Sequence, residues 1–337
     1  MTVWALRGMG EDPAFFVGGE VPGLGPDGAA ANAGWGTGEW VVAEADESDG
    51  SFLRLDPEIA VVTNIEMDHH SKWGSLEPLT EAFAGFAARS RTAVLPTPTR
   101  DALVIPERVR SNPRWARESA NASGGEGAEV AEFSALAPGP GELDLAVPGA
   151  HNVLNARAAL AALGAAGFDL DRAAAALADF RGVRRRLELK GERVGVRIYD
   201  DYAHHPTEVR AALSALRELE PSRLVAVFQP HLYSRTKFFT PQFGAALALA
   251  DEAVVLDVYP AREEPVGPLA GVSGLDVARA AADAAGGRPV AWLPTAAKAK
   301  AFLAKRLEVL PRDSILVTIG AGDVFKIGES LVEGSHG

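Results

Sequence analysis

The chain contains no cysteine, which excludes disulfides, zinc–thiolate sites and thiol catalysis. It has no continuous apolar run of the roughly 18 residues that a membrane span requires. Its opening residues, MTVWALRGMG, lack the basic-then-apolar plan of a secretory leader. Lysine is scarce, and 33 Lys and Arg face 45 Asp and Glu, for a net charge of −12. That balance argues against general nucleic-acid binding. No internal repeat of about 20–50 residues is visible. What is left is a soluble protein, by default cytoplasmic, of 337 residues and 47% apolar content. It is long enough for two domains of ordinary size.

The most informative stretch is 41–70, VVAEADESDGSFLRLDPEIAVVTNIEMDHH. Val41–Ala43 and Ile59–Val62 read as short buried strands, β-branched and bounded by polar turns. The first runs into Glu44, Asp46, Glu47 and Asp49. The second runs into Asn64, Glu66, Asp68, His69 and His70. Ligands of open parallel α/β sheets bind beyond the carboxyl ends of the strands. Two neighbouring strands ending this way would crowd acids at one rim, an arrangement that a cation relieves. Oxygen ligands with an imidazole suit a divalent ion that carries phosphate. The competing reading, solvated loop charge, fits one such loop better than two.

Along the rest of the chain, residues 1–10 have the character of the later turns of a helix, and 18–38 read as a Gly-rich loop or short hairpin. Helices are expected at 76–90, 153–166 and 169–180, with a strand at 92–95. Residues 96–147 are rich in Pro, Gly and Ser and carry weak β signals. After Arg184-Arg185-Arg186 the rhythm changes. Strands at 194–200, 224–229, 253–259, 289–293 and 315–319 alternate with helices near 206–219, 238–250, 274–286 and 295–308. Such alternation gives a doubly wound, mostly parallel Rossmann-like sheet. The predicted boundary therefore separates residues 1–188 from 189–337.

Polar residues cluster at the strand ends of the second region. Asp200-Asp201-Tyr202-Ala203-His204-His205-Pro206-Thr207-Glu208 leaves a strand and opens a helix with Pro at its start. Helix capping accounts for some of these residues but not for two adjacent histidines. His231 and Arg235 follow the next strand, where an Arg fork suits an anionic group such as a carboxylate. Asp257–Glu263 and Gly320–Asp323 follow the later ones, the last equally readable as a tight turn. In the first region, Asn152 and Asn155 lie near one face of a helix start. An Asn can read a purine edge, although a helix cap is the commoner role.

Together these segments resemble the Mur ligases, the ATP-dependent enzymes that build the peptidoglycan stem peptide. The resemblance rests on EADESDGSF (44–52), TNIEMDH (63–69), GAHNVLNA (149–156), GVRRRLE (182–188), DDYAHHPTEV (200–209), FQPHLYSRT (228–236), DVYPAREEP (257–265) and GAGDV (320–324). These occur in family order and span almost the whole chain. The resemblance implies a central ATPase domain over 1–188 and an amino-acid-binding domain over 189–337. It implies ATP and Mg²⁺ as cofactors, with Glu44 and His69 as magnesium ligands, Asn155 at the adenine, Arg186 (less so Arg185) at phosphate and Asp201 at the nucleotide. His204, His205, His231 and Arg235 match the region that receives the amino acid. Position 232 is Leu where the resemblance implies Arg in some family members, which shifts weight onto Arg235.

Within the family, the pattern points to the branch joining L-alanine to UDP-N-acetylmuramate through an acyl phosphate in cytoplasmic cell-wall synthesis. The branch that recycles an intact muramyl tripeptide is the alternative. No Gly-Lys-Ser or Gly-Lys-Thr occurs anywhere in the chain, and Met1–Trp4 lines up with the helix that follows the family's phosphate loop. The expectation is an inactive fragment lacking that loop, the first strand of the central sheet and a UDP-binding segment. A short protein that binds nucleotide or substrate without catalysis is the other possibility.

Overall fold

The computed structural model describes residues 1–68, 72–97, 129–134 and 143–334. They divide into two compact units, 1–181 and 182–337.

In the first unit, helix α1 (Thr2–Gly8) leads into strand β1 (Ala14–Val21), then β2 (Ala31–Gly34) and β3 (Val41–Ala43). The Gly-rich stretch is a hairpin: β1 pairs antiparallel with β2, while β3 lies parallel on the other side of β1. Strand β4 (Ile59–Val61), helix α2 (Leu76–Ala87), strand β5 (Thr92–Pro96) and strand β6 (Glu129–Phe133) follow, and the three strands form a parallel sheet in the order β4-β5-β6. Helices α3 (Ala150–Ala165) and α4 (Leu170–Ala178) complete the unit. Expectation and structure part company at one point here. Among the described residues β3 and β4 are not paired neighbours but belong to different three-stranded sheets. The apolar runs are real strands, yet three residues of β-branched sequence do not encode which edge they join.

Helix α3 has apolar residues all round because it is covered on two sides. Its Ala156, Leu160 and Leu163 pack with Ala5 and Leu6 of α1 and Leu177 of α4. Its Ala158 and Ala162 meet Val94 of β5 and Phe133 of β6. The small alanine side chains let these neighbours approach closely.

The second unit opens with β7 (Glu188–Arg193) and β8 (Val196–Asp201), an antiparallel hairpin. Its two-residue connection, Val194-Gly195, has φ of +48° and +81°, the doubly left-handed turn that suits the twist of a hairpin. The strand expected at 194–200 starts two residues early, in the turn, and β7 lies outside the expected strands, because Lys190-Gly191-Glu192-Arg193 has the composition of a turn. Then come helix α5 (Pro206–Glu218), β9 (Leu224–Phe228), α6 (Tyr233–Leu247), β10 (Glu252–Val255), α7 (Gly274–Ala284), β11 (Val290–Trp292), α8 (Ala296–Leu307), β12 (Ser314–Ile319) and α9 (Phe325–Glu333). The strand order is β11-β10-β9-β12-β8-β7, parallel except for β7.

The alternation of residues along β9 shows the doubly wound core directly. Leu224, Ala226 and Phe228 face α5, α6 and α7 through Leu213, Phe243 and Val277. Val225 and Val227 face α8 and α9 through Leu303 and Ile327. Strand β12 lies between β8 and β9, so the carboxyl ends of β8, β12 and β9 sit side by side where the strand order reverses. Ligands of doubly wound sheets bind at that place.

The break at 181/182 falls ahead of the boundary expected at 188/189 for a visible reason. Arg185 is bound into the second unit. Its Nε meets Asp200 Oδ2 at 3.0 Å, and its Nη2 donates to the carbonyls of Gly320 (2.8 Å) and Gly322 (3.3 Å). Residues 182–337 expressed alone should unfold cooperatively in urea. Residues 190–337 lose Arg185 and leave Asp200 buried without its partner, so they should be less stable by about 3 kcal/mol. Equal midpoints for the two segments would show that Arg185 contributes nothing to the fold.

Candidate active site

Strand β8 ends in two acids that the sheet buries. Asp200 is fully covered; its carboxylate accepts from Thr318 Oγ1 on β12 at 2.7 Å and pairs with Arg185. Burial raises its pKa, with Thr318 and Arg185 pulling the other way. Asp201 is also buried and accepts the backbone N–H groups of Leu187 and Ala203, each at 2.8 Å. Desolvation pushes its carboxyl up to about 6, against the pull of Arg186 and those two N–H groups. Asp200 thus locks the sheet, and Asp201 holds the turn carrying the arginine run against the end of β8.

That turn splits the arginines. Arg185 points inward, between Tyr202 and Phe325 with its guanidinium 4.8 and 4.4 Å from their ring centres. Arg186 lies half exposed, with Nη1 at 3.3 Å from Glu208 Oε1. Of the two, Arg186 is the more exposed.

Beyond β8 the chain turns into α5 through a reciprocal cap. His205 Nδ1 accepts from Thr207 N (3.4 Å), and Glu208 Oε2 accepts from the backbone N–H of His204 (2.9 Å) and His205 (3.1 Å). The His205 ring stands edge-on to Phe239, 4.6 Å away. His205 is therefore the cap of α5, and the pair of histidines expected to act together is divided.

His204 faces the other way. Its Nδ1 lies 3.1 Å from the Tyr202 carbonyl and 3.6 Å from Glu208 Oε2. Both oxygens only accept, so Nδ1 carries a proton in these contacts. The ring centre lies 6.1 Å from that of His231, at the end of β9. His231 stacks on Tyr259 at 5.7 Å, and its Nδ1 meets Arg235 Nη1 at 3.2 Å. Arg235 only donates, so His231 holds its proton on Nε2. The two imidazoles thus offer opposite hydrogen-bonding roles, beside a guanidinium that is buried in the first turn of α6.

The sequence reading gave Tyr202, Tyr259 and Glu208 no role. The only signal for Glu208 was its position three residues beyond the cap. The segment after β10 holds the start of α6 in place: Leu232 N donates to Tyr259 O (3.0 Å), Tyr259 N to Pro230 O (2.8 Å), and Ser234 N to Glu263 Oε2 (2.9 Å). Leu232 takes φ +67°, a costly conformation for a residue with a side chain and one that concentrates at functional sites.

In the first unit, Glu44 follows β3, exposed, and accepts the backbone N–H of Gly18 on β1 at 2.7 Å. A Cβ at position 18 would come within 2.6 Å of Glu44 Oε1, so a side chain there would push the carboxylate from its present place. One carboxylate of this kind fits magnesium, which binds through one or two carboxylates together with phosphate and water. His69 lies outside the described residues. Among the described residues no three His, Asp or Glu side chains cluster as a metal site. Asn155 is exposed in the first turns of α3, while Asn152 is tied to the Pro148 carbonyl at 2.7 Å.

Residues 37–163 match the Mur ligase middle domain and residues 185–322 the Mur ligase glutamate ligase domain. The chain belongs to the Mur ligase family. It is 45% identical to the UDP-N-acetylmuramate–L-alanine ligase of Mycolicibacterium vanbaalenii and 43% identical to that of Nocardia farcinica. These alignments cover 98% and 99% of this chain and 70% of each relative. Among solved structures, the UDP-N-acetylmuramate-alanine ligase of Thermotoga maritima superposes with a TM-score of 0.72 at 25% identity, covering 98% of this chain and 71% of that one. Folylpolyglutamate synthase of Mycobacterium tuberculosis, complexed with ADP, shares the fold at 17% identity (TM-score 0.67, covering 97% and 85%). Among the described residues no helix is long and apolar enough to cross a membrane.

The raised value of Asp201 can be measured. Its carboxyl ¹³C resonance should titrate near pH 6. A folded value above the unfolded one favours folding at low pH; this contribution is complete below about pH 4 and is lost as the pH rises through 6. It amounts to about 3 kcal/mol at most. A midpoint near 4 would mean that solvent reaches Asp201.

Proposed function

We propose that this chain carries the nucleotide-contacting and amino-acid-binding parts of an ATP-dependent ligase joining L-alanine to UDP-N-acetylmuramate in the cytoplasm. The observation that carries the reading is the group at the carboxyl edge of the second sheet. Asp201, Arg186, His204, His231 and Arg235 meet there, in a chain 45% identical over 98% of its length to a ligase of that name. The domain roles follow: a central ATPase portion before the Arg run and an amino-acid domain after it.

In the reaction, a muramyl carboxylate oxygen attacks the γ-phosphorus of ATP, ADP leaves, and an acyl phosphate results. The alanine amine then attacks the acyl carbon, and the tetrahedral intermediate expels inorganic phosphate. Magnesium, held by Glu44 and by His69 on the family pattern, would offset charge on the transferring phosphoryl oxygens. Asn155 would read the adenine edge, and Arg186 and Asp201 would meet the nucleotide.

The tautomers suggest a division of labour for the amino acid. Arg235 and the Nε2–H of His231 are donors suited to the alanine carboxylate. The lone pair of His204 Nε2 can accept the proton that the amine must lose before it attacks. The Glu208 carboxylate beside Nδ1 would stabilise the imidazolium so formed. His205, committed to the helix cap, is assigned no contact with substrate.

Catalysis needs a further part. The backbone amides and lysine of a phosphate loop cradle the β- and γ-phosphates in this type of chemistry, and no Gly-Lys-Ser or Gly-Lys-Thr occurs in the chain. With ATP, magnesium, UDP-N-acetylmuramate and L-alanine, the purified chain should release no phosphate above background, while calorimetry should detect L-alanine binding. Substituting Arg235→Gln should weaken that binding at least about tenfold, the loss of one charge-assisted hydrogen bond. Robust phosphate release would show that the Gly-Lys-Ser/Thr motif is not needed for turnover. Undiminished alanine binding by R235Q would remove Arg235 from the site.

A further inference from the structure

The carboxylate of Glu208 stands between two groups with different tasks. Its Oε1 lies 3.3 Å from Arg186 Nη1, and its Oε2 lies 3.6 Å from His204 Nδ1 while accepting the backbone N–H groups of His204 and His205. Burial alone would push this carboxyl up; His204, Arg186 and the two N–H groups together hold it below its ordinary value. The helix cap fixes the carboxylate in place, so its charge cannot move away from either neighbour. Asp201 lies close enough to oppose it, and the Tyr202 and His231 rings flank His204 on the other sides.

We propose that Glu208 is a positioning residue that couples nucleotide binding to amino-acid binding. The inference rests on the assignment of Arg186 to the nucleotide and His204 to the amino acid. Without nucleotide, the charge of Glu208 is shared between Arg186 and His204. The Arg186 pair is half exposed, and such pairs contribute no more than about 1 kcal/mol, so a phosphate group readily draws the guanidinium away. Glu208 then faces His204 alone. An imidazole backed by an uncompensated carboxylate is the stronger partner for the amino acid at its far nitrogen. Nucleotide therefore tightens amino-acid binding, and by thermodynamic linkage the amino acid tightens nucleotide binding by the same factor.

The test is calorimetric titration of the full chain with L-alanine, with and without saturating magnesium-ADP. In the wild type, ADP should lower the alanine Kd about fivefold, at the modest end of measured couplings, and alanine should lower the ADP Kd by an equal ratio. Glu208→Gln should bind both ligands with a ratio near one. Arg186→Gln, which leaves the helix cap intact, should bind alanine without nucleotide as tightly as the wild type does with it. A purely structural role for Glu208 would weaken both affinities and leave the ratio unchanged, which overturns the proposal. A ratio of one in the wild type, with both ligands bound, also overturns it. Failure of the wild type to bind alanine or ADP at all would overturn the functional assignment beneath it, and the wild-type titrations alone reveal that outcome.

Discussion

The second unit depends on burying two adjacent carboxylates at the end of a central strand. Neither could remain there without fixed partners, because a buried charge lacking donors is far costlier than the donors are valuable. Asp200 takes its partners from β12 and from Arg185, Asp201 from the backbone of the arginine turn and of the segment leading to α5. Each bond ties a separate piece of chain to the same point. The turn at 184–187, the Gly320 loop after β12 and the start of the His204 segment all take their positions from those two acids. The polar rim is a consequence of the sheet's interior.

Magnitudes set the two neighbouring arginines apart. Arg185 and Asp200 form a largely buried pair, and breaking such a pair by removing one partner costs about 3–5 kcal/mol. A substrate that competed for Arg185 would have to overcome that cost and disturb the sheet. Arg186 and Glu208 form a partly exposed pair that solvent screens, worth no more than about 1 kcal/mol. Two neighbouring residues of identical type thus differ in how firmly their ion pairs hold them.

Much of this was legible in the sequence, and the exceptions have physical causes. The strands of the second unit were readable because burial on both faces makes them continuous apolar runs, as in Leu224–Phe228. Their polar ends were readable because charge stops such runs abruptly. Strand β7 was hidden by a half-exposed composition that a hairpin edge tolerates. The start of α6 was placed too late because Pro241 lies inside the helix, where a sequence reading expects a boundary. The division between His204 and His205 was invisible, since it depends on which ring Phe239 meets. The pairing of β3 was also beyond reach, because register and neighbour come from tertiary packing and not from three residues of Val-Val-Ala.

The acidic run after β3 shows how structure narrows a composition to a residue. Four acids follow one another there, and by charge alone any of them could meet a cation. Asp46 and Asp49 turn back on their own chain, accepting Ser48 N at 2.8 Å and Ser51 N at 2.7 Å; bonds of this kind build turns. The Ser51 side chain, and after it the Ser51 backbone N–H, hold Asp49 below its ordinary pKa. The backbone carbonyl of Glu47 accepts the Trp73 indole N–H at 2.9 Å, which fixes the loop. Glu44 takes a backbone N–H from a neighbouring strand, at a glycine whose missing side chain makes room for it. A ligand oxygen held by the sheet is better preorganised than one carried on a loop. The hydrogen bonding therefore sets Glu44, the acid that the family motif also marks, on the sheet and not on the loop.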